Sequence, residues 1–195
     1  LHLCHHNLET INNTTSTAKH DLLAEVCYAA KEEGASITRY HGEHQGTNKD
    51  SASQLCTVLA RSFADIGDIV RGRDLYRGNK QESAQREKLE NNLKRIFGDI
   101  YEELKKHKNL KDEAQKRYKD EPDKNYYKLR EDWWTANRHT VWEALTCDAR
   151  NNASYFRQTC GGSNENTATQ TPSQCRCTAN IDPPTYFDYV PQYLR

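Results

Sequence analysis

Apolar residues recur along the chain at the three- to four-residue spacing of amphipathic α-helices. In a helix such residues share one face, which can be buried while the opposite face stays in water. The pattern predicts four helices, over about residues 16–33, 51–70, 82–108 and 126–147. No stretch shows the strict alternation that is typical of a half-buried β-strand. The sequence therefore predicts an all-α fold, a disulfide-stabilised helical bundle with long loops.

The apolar face is clearest in the third predicted helix, and the fourth predicted helix carries the largest side chains. The stripe of the third helix consists of Leu89, Leu93, Ile96, Phe97, Ile100, Tyr101 and Leu104. All three tryptophans, Trp133, Trp134 and Trp142, lie in the fourth helix. Each tryptophan can bury about 150–250 Å². We therefore expect the three rings to lie in the core rather than to form a surface platform for sugars.

Breaks in the apolar pattern predict the loops. Gly34 is expected to end the first helix, and residues 34–50 are predicted to form a flexible loop. The stretch 105–124 is densely charged, and 161–183 is rich in Gly, Thr, Asn and Pro. Both are interpreted as surface segments between helices. Residues 186–195 are predicted to begin a further helix.

The cysteines indicate a cross-linked extracellular protein. The chain has 195 residues, of which 35% are hydrophobic and 29% charged. We therefore expect a thin core that needs further stabilisation from cross-links, partners or neighbouring domains. Its seven cysteines form no Cys-x-x-Cys pair, which favours disulfides over metal or redox chemistry. They are Cys4, Cys27, Cys56, Cys147, Cys160, Cys175 and Cys177.

Because seven is an odd number, one cysteine is expected to lack a partner within this chain. The chain begins at Leu1 and contains no methionine, so we interpret it as a fragment. Cys175 and Cys177 are too close in sequence to bond readily to each other, and we expect them to fix their loop to two separate places.

The charges exclude one class of partner and leave one surface open to two interpretations. The 28 basic and 28 acidic residues cancel, so no global field attracts nucleic acid or anionic lipid. Locally, basic residues interleave with acidic ones between the third and fourth predicted helices. This pattern is typical of a solvated helical surface, and it is also compatible with a docking surface for a sulfated glycan. The candidate glycan-binding residues are Lys105, Lys106, Lys108, Lys111, Lys116, Arg117 and Lys119.

Catalytic and metal chemistry find little support in the sequence. No nucleophile is accompanied by a recognisable base, so the chain is not expected to be an enzyme or to hold a cofactor. Cys4 with its two neighbouring histidines, and the pair His41 and His44, match no tetrahedral zinc spacing. No run of about 18 apolar residues is present that could span a membrane.

Several long motifs resemble one known family. They are SFADIGDIVRGRDLY at 62–76, NYYKLREDWWTANRHTVWEALTC at 125–147, CRC at 175–177 and PTYFDYVPQYLR at 184–195, with KHDLLAEVCYAAKEE at 19–33. Together they closely resemble the alpha class of Duffy-binding-like domains in the Plasmodium falciparum erythrocyte membrane protein 1 family. The resemblance covers almost the whole chain, and the stretches between the motifs correspond to variable loops.

The resemblance implies a function. Such domains are helical, disulfide-linked and non-catalytic, and lie on the surface of infected erythrocytes in a variant antigen with a distant membrane anchor. They mediate cytoadhesion to erythrocyte or endothelial receptors, or rosetting through heparan sulfate or blood-group sugars. The resemblance also implies contacts with neighbouring domains of the parent protein and recognition by host antibodies. The alternative is a structural spacer with an antigenic surface and no receptor of its own.

The resemblance also implies an organisation into subdomains and a set of disulfides. Residues 1–15 would be the tail of a first subdomain, and residues 16–195 a helical second subdomain that ends where a third begins. Cys4 would then pair with a cysteine upstream of this chain. For the other six cysteines we expect Cys27 to bond to Cys147, and Cys56 to Cys160 or to one of the Cys175/Cys177 pair.

Overall fold

The computed structural model describes residues 18–44, 52–75, 78–106, 111–118, 125–161, 168–177 and 182–195. Five α-helices run through these residues: α1 (Ala18–His44), α2 (Ala52–Arg71), α3 (Lys80–Lys106), α4 (Lys111–Arg117) and α5 (Tyr127–Leu145). Two 3₁₀ turns follow, at Phe187–Tyr189 and Gln192–Leu194. Within the described ranges there are isolated β-bridges but no strand. The all-α prediction is confirmed.

The backbone contacts divide the chain into two compact units. Of the described residues, unit 1 contains Cys27–Gly67 and Arg138–Arg195. Unit 2 contains Asp68–Asn137 and the part of α1 up to Val26. Each unit has its own buried apolar residues.

The core of unit 1 is built around two aromatic rings. Phe63 of α2 meets Trp142 of α5 edge to face, with 5.2 Å between the ring centroids. Both rings are almost fully buried, together with aliphatic side chains of α2 such as Leu55 and Leu59. An edge-to-face aromatic pair adds about 0.5–1.5 kcal/mol to the free energy gained by burying the rings.

The first helix does not end at Gly34, where the sequence analysis placed its end, but continues to His44. The reason is a close approach of two backbones. A Cβ added to Gly34 would lie only 1.8 Å from the carbonyl oxygen of Leu145 in α5. Glycine is therefore needed here for its missing side chain and not to terminate the helix. Residues 34–44 of the predicted loop are helical, and 45–50 lie outside the described residues.

The core of unit 2 follows the apolar stripe of α3. Its buried residues are Leu89, Leu93, Ile96, Phe97 and Ile100, as the spacing predicts. Trp133 of α5 contacts Phe97 edge to face at 6.1 Å. Trp133, Trp134 and Trp142 are 4%, 0% and 2% exposed, which confirms that the tryptophans are core residues, the first two in unit 2 and Trp142 in unit 1.

The connection between α2 and α3 is closed by local hydrogen bonds at both ends. At the end of α2, Gly72 has a φ of 71° and donates to the carbonyl of Ile69, while the Arg73 N–H donates to the carbonyl of Asp68. This pair of bonds is the Schellman arrangement, in which a left-handed residue suits glycine. At the start of α3, Asn79 and Glu82 each accept the other's backbone N–H through the side chain, a capping box.

Two segments differ from the sequence prediction. Part of the charged stretch 105–124 forms α4, whose one buried residue is Ala114. Residues 186–195 form two short 3₁₀ turns in place of a longer helix. Pro191 lies between these turns, and its missing N–H cannot continue a helix.

Candidate functional site

Two disulfides fix the loop that follows α5 in unit 1. Cys56 of α2 bonds to Cys175, and Cys160 bonds to Cys177. Cys175 and Cys177 therefore fix the loop at two separate places, and Cys56 takes one of the partners that the sequence analysis left open. The Trp142 indole N–H donates to the Cys175 carbonyl at 3.2 Å. This part of unit 1 is a cross-linked framework.

Arg176, which stands between these two cysteines, adds hydrogen bonds to the end of α5. Its guanidinium donates to the Thr146 hydroxyl at 2.7 Å and to the Glu143 carbonyl at 2.5 Å. The loop is thereby held by a disulfide at each of the two cysteines and by the hydrogen bonds of Arg176 between them.

The structure leaves Cys27 and Cys147 as free thiols, so the bridge expected between them is not formed in it. Cys147 is exposed, whereas Cys27 is partly buried in α1. Burial, assisted by the negative charge of Glu143, raises the pKa of the Cys27 thiol to about 11. Cys4 and its expected upstream partner lie outside the described residues.

The five predicted glycan-binding residues that lie in the described ranges divide into two groups. Lys105 pairs with Glu102 at 2.6 Å, and Arg117 forms two hydrogen bonds to Asp132 at 2.6 and 2.8 Å. Lys106, Lys111 and Lys116 are exposed and have no ion pair among the described residues; these three are here called the basic surface. Lys108 and Lys119 lie outside the described residues.

Arg117 belongs to a small polar and aromatic network in unit 2. Asp132 accepts from Arg117 and, at 2.8 Å, from the Tyr118 hydroxyl. The Arg117 hydrogen bond, together with that from Tyr118, holds the pKa of Asp132 below its usual value. Burial, with the neighbouring Asp132 carboxylate, raises the pKa of Tyr118. The network orders Arg117 toward its own chain, which makes this residue a poorer candidate for glycan binding.

A cavity of about 330 Å³ opens in unit 2, and the sequence analysis did not foresee it. Its walls come from three places: the end of α2 and the following loop, one face of α3, and Tyr127 at the start of α5. Leu89 and Leu93 form an apolar floor, and charged side chains of α3 line the rim.

The last residues of the described chain present an exposed aromatic surface in unit 1. Beneath it, the buried Arg138 forms two hydrogen bonds to the buried Asp188 at 2.8 and 2.9 Å. The Arg138 guanidinium also lies 5.2 Å from the ring centroids of both Tyr186 and Tyr189. The surface consists of Tyr186, Tyr189, Tyr193 and Leu194, which are 67%, 42%, 75% and 66% exposed; it is here called the C-terminal aromatic surface.

Two kinds of feature are absent from the described residues, a metal-binding cluster and a membrane-spanning helix. No group of three or more His, Cys, Asp and Glu residues in these ranges is arranged to hold a metal ion. None of the described helices is long and apolar enough to cross a membrane.

Comparison with known proteins identifies the family. The family model of the Duffy binding domain matches residues 1–195. A search of curated proteins gave no significant match.

Three solved structures support the same assignment. The structure of the ICAM-1-binding PfEMP1 IT4var13 DBLβ domain is 33% identical with a TM-score of 0.69, and the match covers 100% of this chain and 39% of that one. The same domain bound to ICAM-1 gives 31% identity and a TM-score of 0.64, over 99% of this chain and 40% of the other. A second PfEMP1 DBLβ domain, bound to human ICAM-1, is 27% identical with a TM-score of 0.59, and the match covers 89% of this chain and 36% of that one.

The chain thus spans about two fifths of the length of the domain structures that it matches. The alpha class within the family and the subdomain boundaries remain predictions. The family model over the whole chain and the match to solved domains of the same fold lead to one conclusion: this chain belongs to the Duffy binding domain family.

Proposed function

We propose that this chain is an adhesion module that binds a protein receptor on host cells, as part of the extracellular region of a variant antigen on infected erythrocytes. One observation carries the proposal: the whole chain matches, at a TM-score of 0.69, a PfEMP1 domain named for binding ICAM-1. The family and the fold are those of adhesion domains and not of enzymes.

The C-terminal aromatic surface is the part of unit 1 best suited to such a contact. Exposed tyrosines are frequent among the residues that dominate protein–protein binding energy, because their rings bury a large area with few rotatable bonds. Here the ion pair of Arg138 with Asp188 holds the segment in place beneath the rings. The surface is therefore ordered before any partner binds, which lowers the entropic cost of association.

The test is surface plasmon resonance with the disulfide-intact chain over immobilised human ICAM-1 and over an unrelated human receptor ectodomain. We expect the chain to bind ICAM-1 and not the unrelated receptor. The double variant Y186S/Y193S should bind ICAM-1 with an affinity at least about tenfold lower. The matched control is Y28S/Y40S, since Tyr28 and Tyr40 are also exposed in unit 1, at 54% and 56%. Equal losses in both variants would remove the aromatic surface from the proposal.

A second candidate ligand is a sulfated glycan, and the basic surface favours it. Lys106, Lys111 and Lys116 are exposed, with no ion pair among the described residues, so their charges are available to sulfate groups. We expect the chain to be retained on heparin and released as salt rises, because screening weakens exposed charge pairs. The triple variant K106E/K111E/K116E should elute at lower salt than K31E/K80E/K88E, which reverses three other exposed lysines.

The competing hypothesis is a spacer scaffold that positions neighbouring domains and has no receptor of its own. It predicts that the folded chain binds neither ICAM-1 nor heparin, and does not bind erythrocytes or endothelial cells in flow cytometry. That combined outcome, with far-ultraviolet circular dichroism showing intact helices, would replace the adhesion proposal.

A further inference from the structure

The cavity of unit 2 has the features of a preformed binding site. Its volume of about 330 Å³ falls at the lower end of the range for ligand pockets in proteins. Leu89 and Leu93, 4% and 1% exposed, form its floor, and Ile69 and Tyr127 add apolar walls. An apolar cleft with a few charged groups at the rim is typical of a recognition site.

The wall formed by the end of α2 is held rigidly. The Arg130 guanidinium donates to the Val70 carbonyl at 2.6 Å and to the Ile69 carbonyl at 3.1 Å. A Cβ on Gly72 would lie 2.8 Å from this guanidinium, so the backbone lies directly against it. The cavity thus has a defined shape without a ligand.

Most of the charges at the rim already have partners within unit 2. Asp74 pairs with Arg86, and both oxygens of Glu90 accept hydrogen bonds from Arg130. Glu87 and Lys94 also line the cavity, and neither has an ion pair among the described residues. A ligand can therefore gain most from these two charges.

The positions of Glu87 and Lys94 define the polarity of the ligand. They are seven positions apart on α3, which places their Cα atoms about 10 Å apart along the helix axis. Between them lies the apolar floor. An extended peptide in the polyproline II conformation rises about 3.1 Å per residue with three residues per turn, so its first and fourth side chains lie on the same face about 9 Å apart.

We propose that the cavity binds an extended protein segment with a basic side chain at the Glu87 end, apolar residues over Leu89 and Leu93, and an acidic side chain at the Lys94 end. The charge complementarity at both ends and the apolar floor between them specify this occupant. The inference stands apart from the receptor proposal, since either kind of binding can be present in the absence of the other.

The experiment uses the full 195-residue chain, labelled with ¹⁵N and with ¹³C methyl groups, and four synthetic peptides. The peptides are acetylated and amidated Arg-Leu-Leu-Glu, Arg-Leu-Leu-Arg, Glu-Leu-Leu-Glu and Arg-Ser-Ser-Glu. Nuclear magnetic resonance titration detects weak binding and locates it through the methyl signals of Ile69, Leu89 and Leu93. We expect Arg-Leu-Leu-Glu to bind best and to shift these signals, and Arg-Ser-Ser-Glu to bind least.

Charge reversal then tests the assignment of the two ends. In E87K the preferred peptide should become Glu-Leu-Leu-Glu, and in K94E it should become Arg-Leu-Leu-Arg. Each variant should weaken binding of Arg-Leu-Leu-Glu by about three- to thirtyfold, since an attraction between exposed charges becomes a repulsion. Glu87 is exposed and Lys94 is partly exposed, so neither substitution disturbs the core.

The control variant is K88E, which reverses an exposed charge next to Glu87 that does not line the cavity. It should leave the order of the four peptides unchanged. Shifts confined to residues outside the cavity, or an order that is the same in the wild-type chain, E87K and K94E, would overturn the proposal. A failure to bind ICAM-1 would leave it standing.

Discussion

Arg130 donates hydrogen bonds from both terminal nitrogens of its guanidinium to Glu90, at 2.7 Å to one carboxylate oxygen and 2.9 Å to the other. The Arg130 side chain is fully buried, and that of Glu90 is 33% exposed. The same guanidinium donates to the carbonyls of Ile69 and Val70 at the end of α2, which have no further residue of the helix to bond to. One side chain of α5 therefore joins α3 to the end of α2 within unit 2.

Arg130→Ala should lower the free energy of unfolding by about 3–5 kcal/mol, because it takes the buried partner from the Glu90 carboxylate and the Val70 carbonyl and leaves the Ile69 carbonyl with only the Gly72 N–H. The measurement is a urea titration followed by circular dichroism. Arg130→Lys should recover only part of the loss, because a lysine lacks the planar fork that serves three acceptors.

The matched control is Arg117→Ala. Arg117 also holds a carboxylate with two hydrogen bonds, to Asp132, but its side chain is 59% exposed. An exposed pair of this kind contributes about 0–1 kcal/mol. If the two alanine variants unfold at the same urea concentration, burial is not what gives Arg130 its importance.

The buried arginine illustrates how far the sequence could be interpreted. The stripe of Leu89, Leu93 and Ile96 and the clustering of tryptophans predict a helix face and a core, because both depend only on spacing and side-chain size. The partners of Arg130 come from residues about 40 and 60 positions away in sequence, and no local pattern relates them. The cavity was missed for the same reason, since its walls come from three separate segments.

Local patterns also failed where one residue type serves two purposes. Gly34 carries the signal of a helix end, but it lies inside α1 because a carbonyl of α5 occupies the space of a side chain. α4 was missed because Ala114 is its one buried residue and charges dominate its sequence.

Gly34→Ala should destabilise unit 1. The new methyl group would lie 1.8 Å from the Leu145 carbonyl oxygen, which is backbone and cannot move aside without shifting α5. Overpacking typically costs about 1–3 kcal/mol, and this clash belongs at the upper end of that range. The urea midpoint should therefore fall.

Gly98→Ala provides the opposite case, also inside a helix. Its Cβ would lie 3.4 Å from the hydroxyl oxygen of Tyr126, at the edge of an ordinary contact. Replacing glycine by alanine in a helix interior gains up to about 1 kcal/mol, so this variant should unfold at the same urea concentration or a higher one. A rise in the midpoint of Gly34→Ala would contradict the close approach of α1 and α5.

The two disulfides should differ in what they contribute to stability. Cys56 and Cys175 are 119 residues apart, and Cys160 and Cys177 are 17 apart. Cross-linking a longer loop removes more entropy from the unfolded chain, which predicts about 5 kcal/mol for the first bond and about 3 kcal/mol for the second. The double variants C56A/C175A and C160A/C177A, compared by urea unfolding, should show losses in this order.

Cys56 is 0% exposed, so its replacement by alanine also leaves a small cavity. The stability loss measured for C56A/C175A therefore includes lost packing as well as the lost cross-link. Comparing the wild-type chain with C56A/C175A after full reduction of both isolates the loss of packing, because neither protein then has a cross-link. A larger loss for C160A/C177A would show that loop length does not govern the order.

The free thiols of Cys27 and Cys147 should react at different rates. Burial, assisted by the charge of Glu143, raises the pKa of Cys27 from 9.0 to about 11, so almost none of it is thiolate at pH 8. Cys147 is exposed, and iodoacetamide attacks the thiolate form of an accessible cysteine. Mass spectrometry of the alkylated chain should therefore find Cys147 modified first and Cys27 modified mainly after unfolding.

The raised pKa of Cys27 also makes a prediction about stability at high pH. The folded state keeps a proton on this thiol, whereas the unfolded chain releases it near pH 9. The stabilisation of the folded state by this protonated thiol is therefore complete below pH 9, and it is lost as the pH rises through about 11. Wild type should therefore lose more stability than Cys27→Ala over that interval, since the variant has no thiol to ionise and the other titrating groups are shared. A peptide linking Cys27 to Cys147 in a non-reducing digest would contradict both predictions, because a bridged cysteine neither ionises nor reacts with iodoacetamide. Such a peptide would instead establish the bridge that the family resemblance implies.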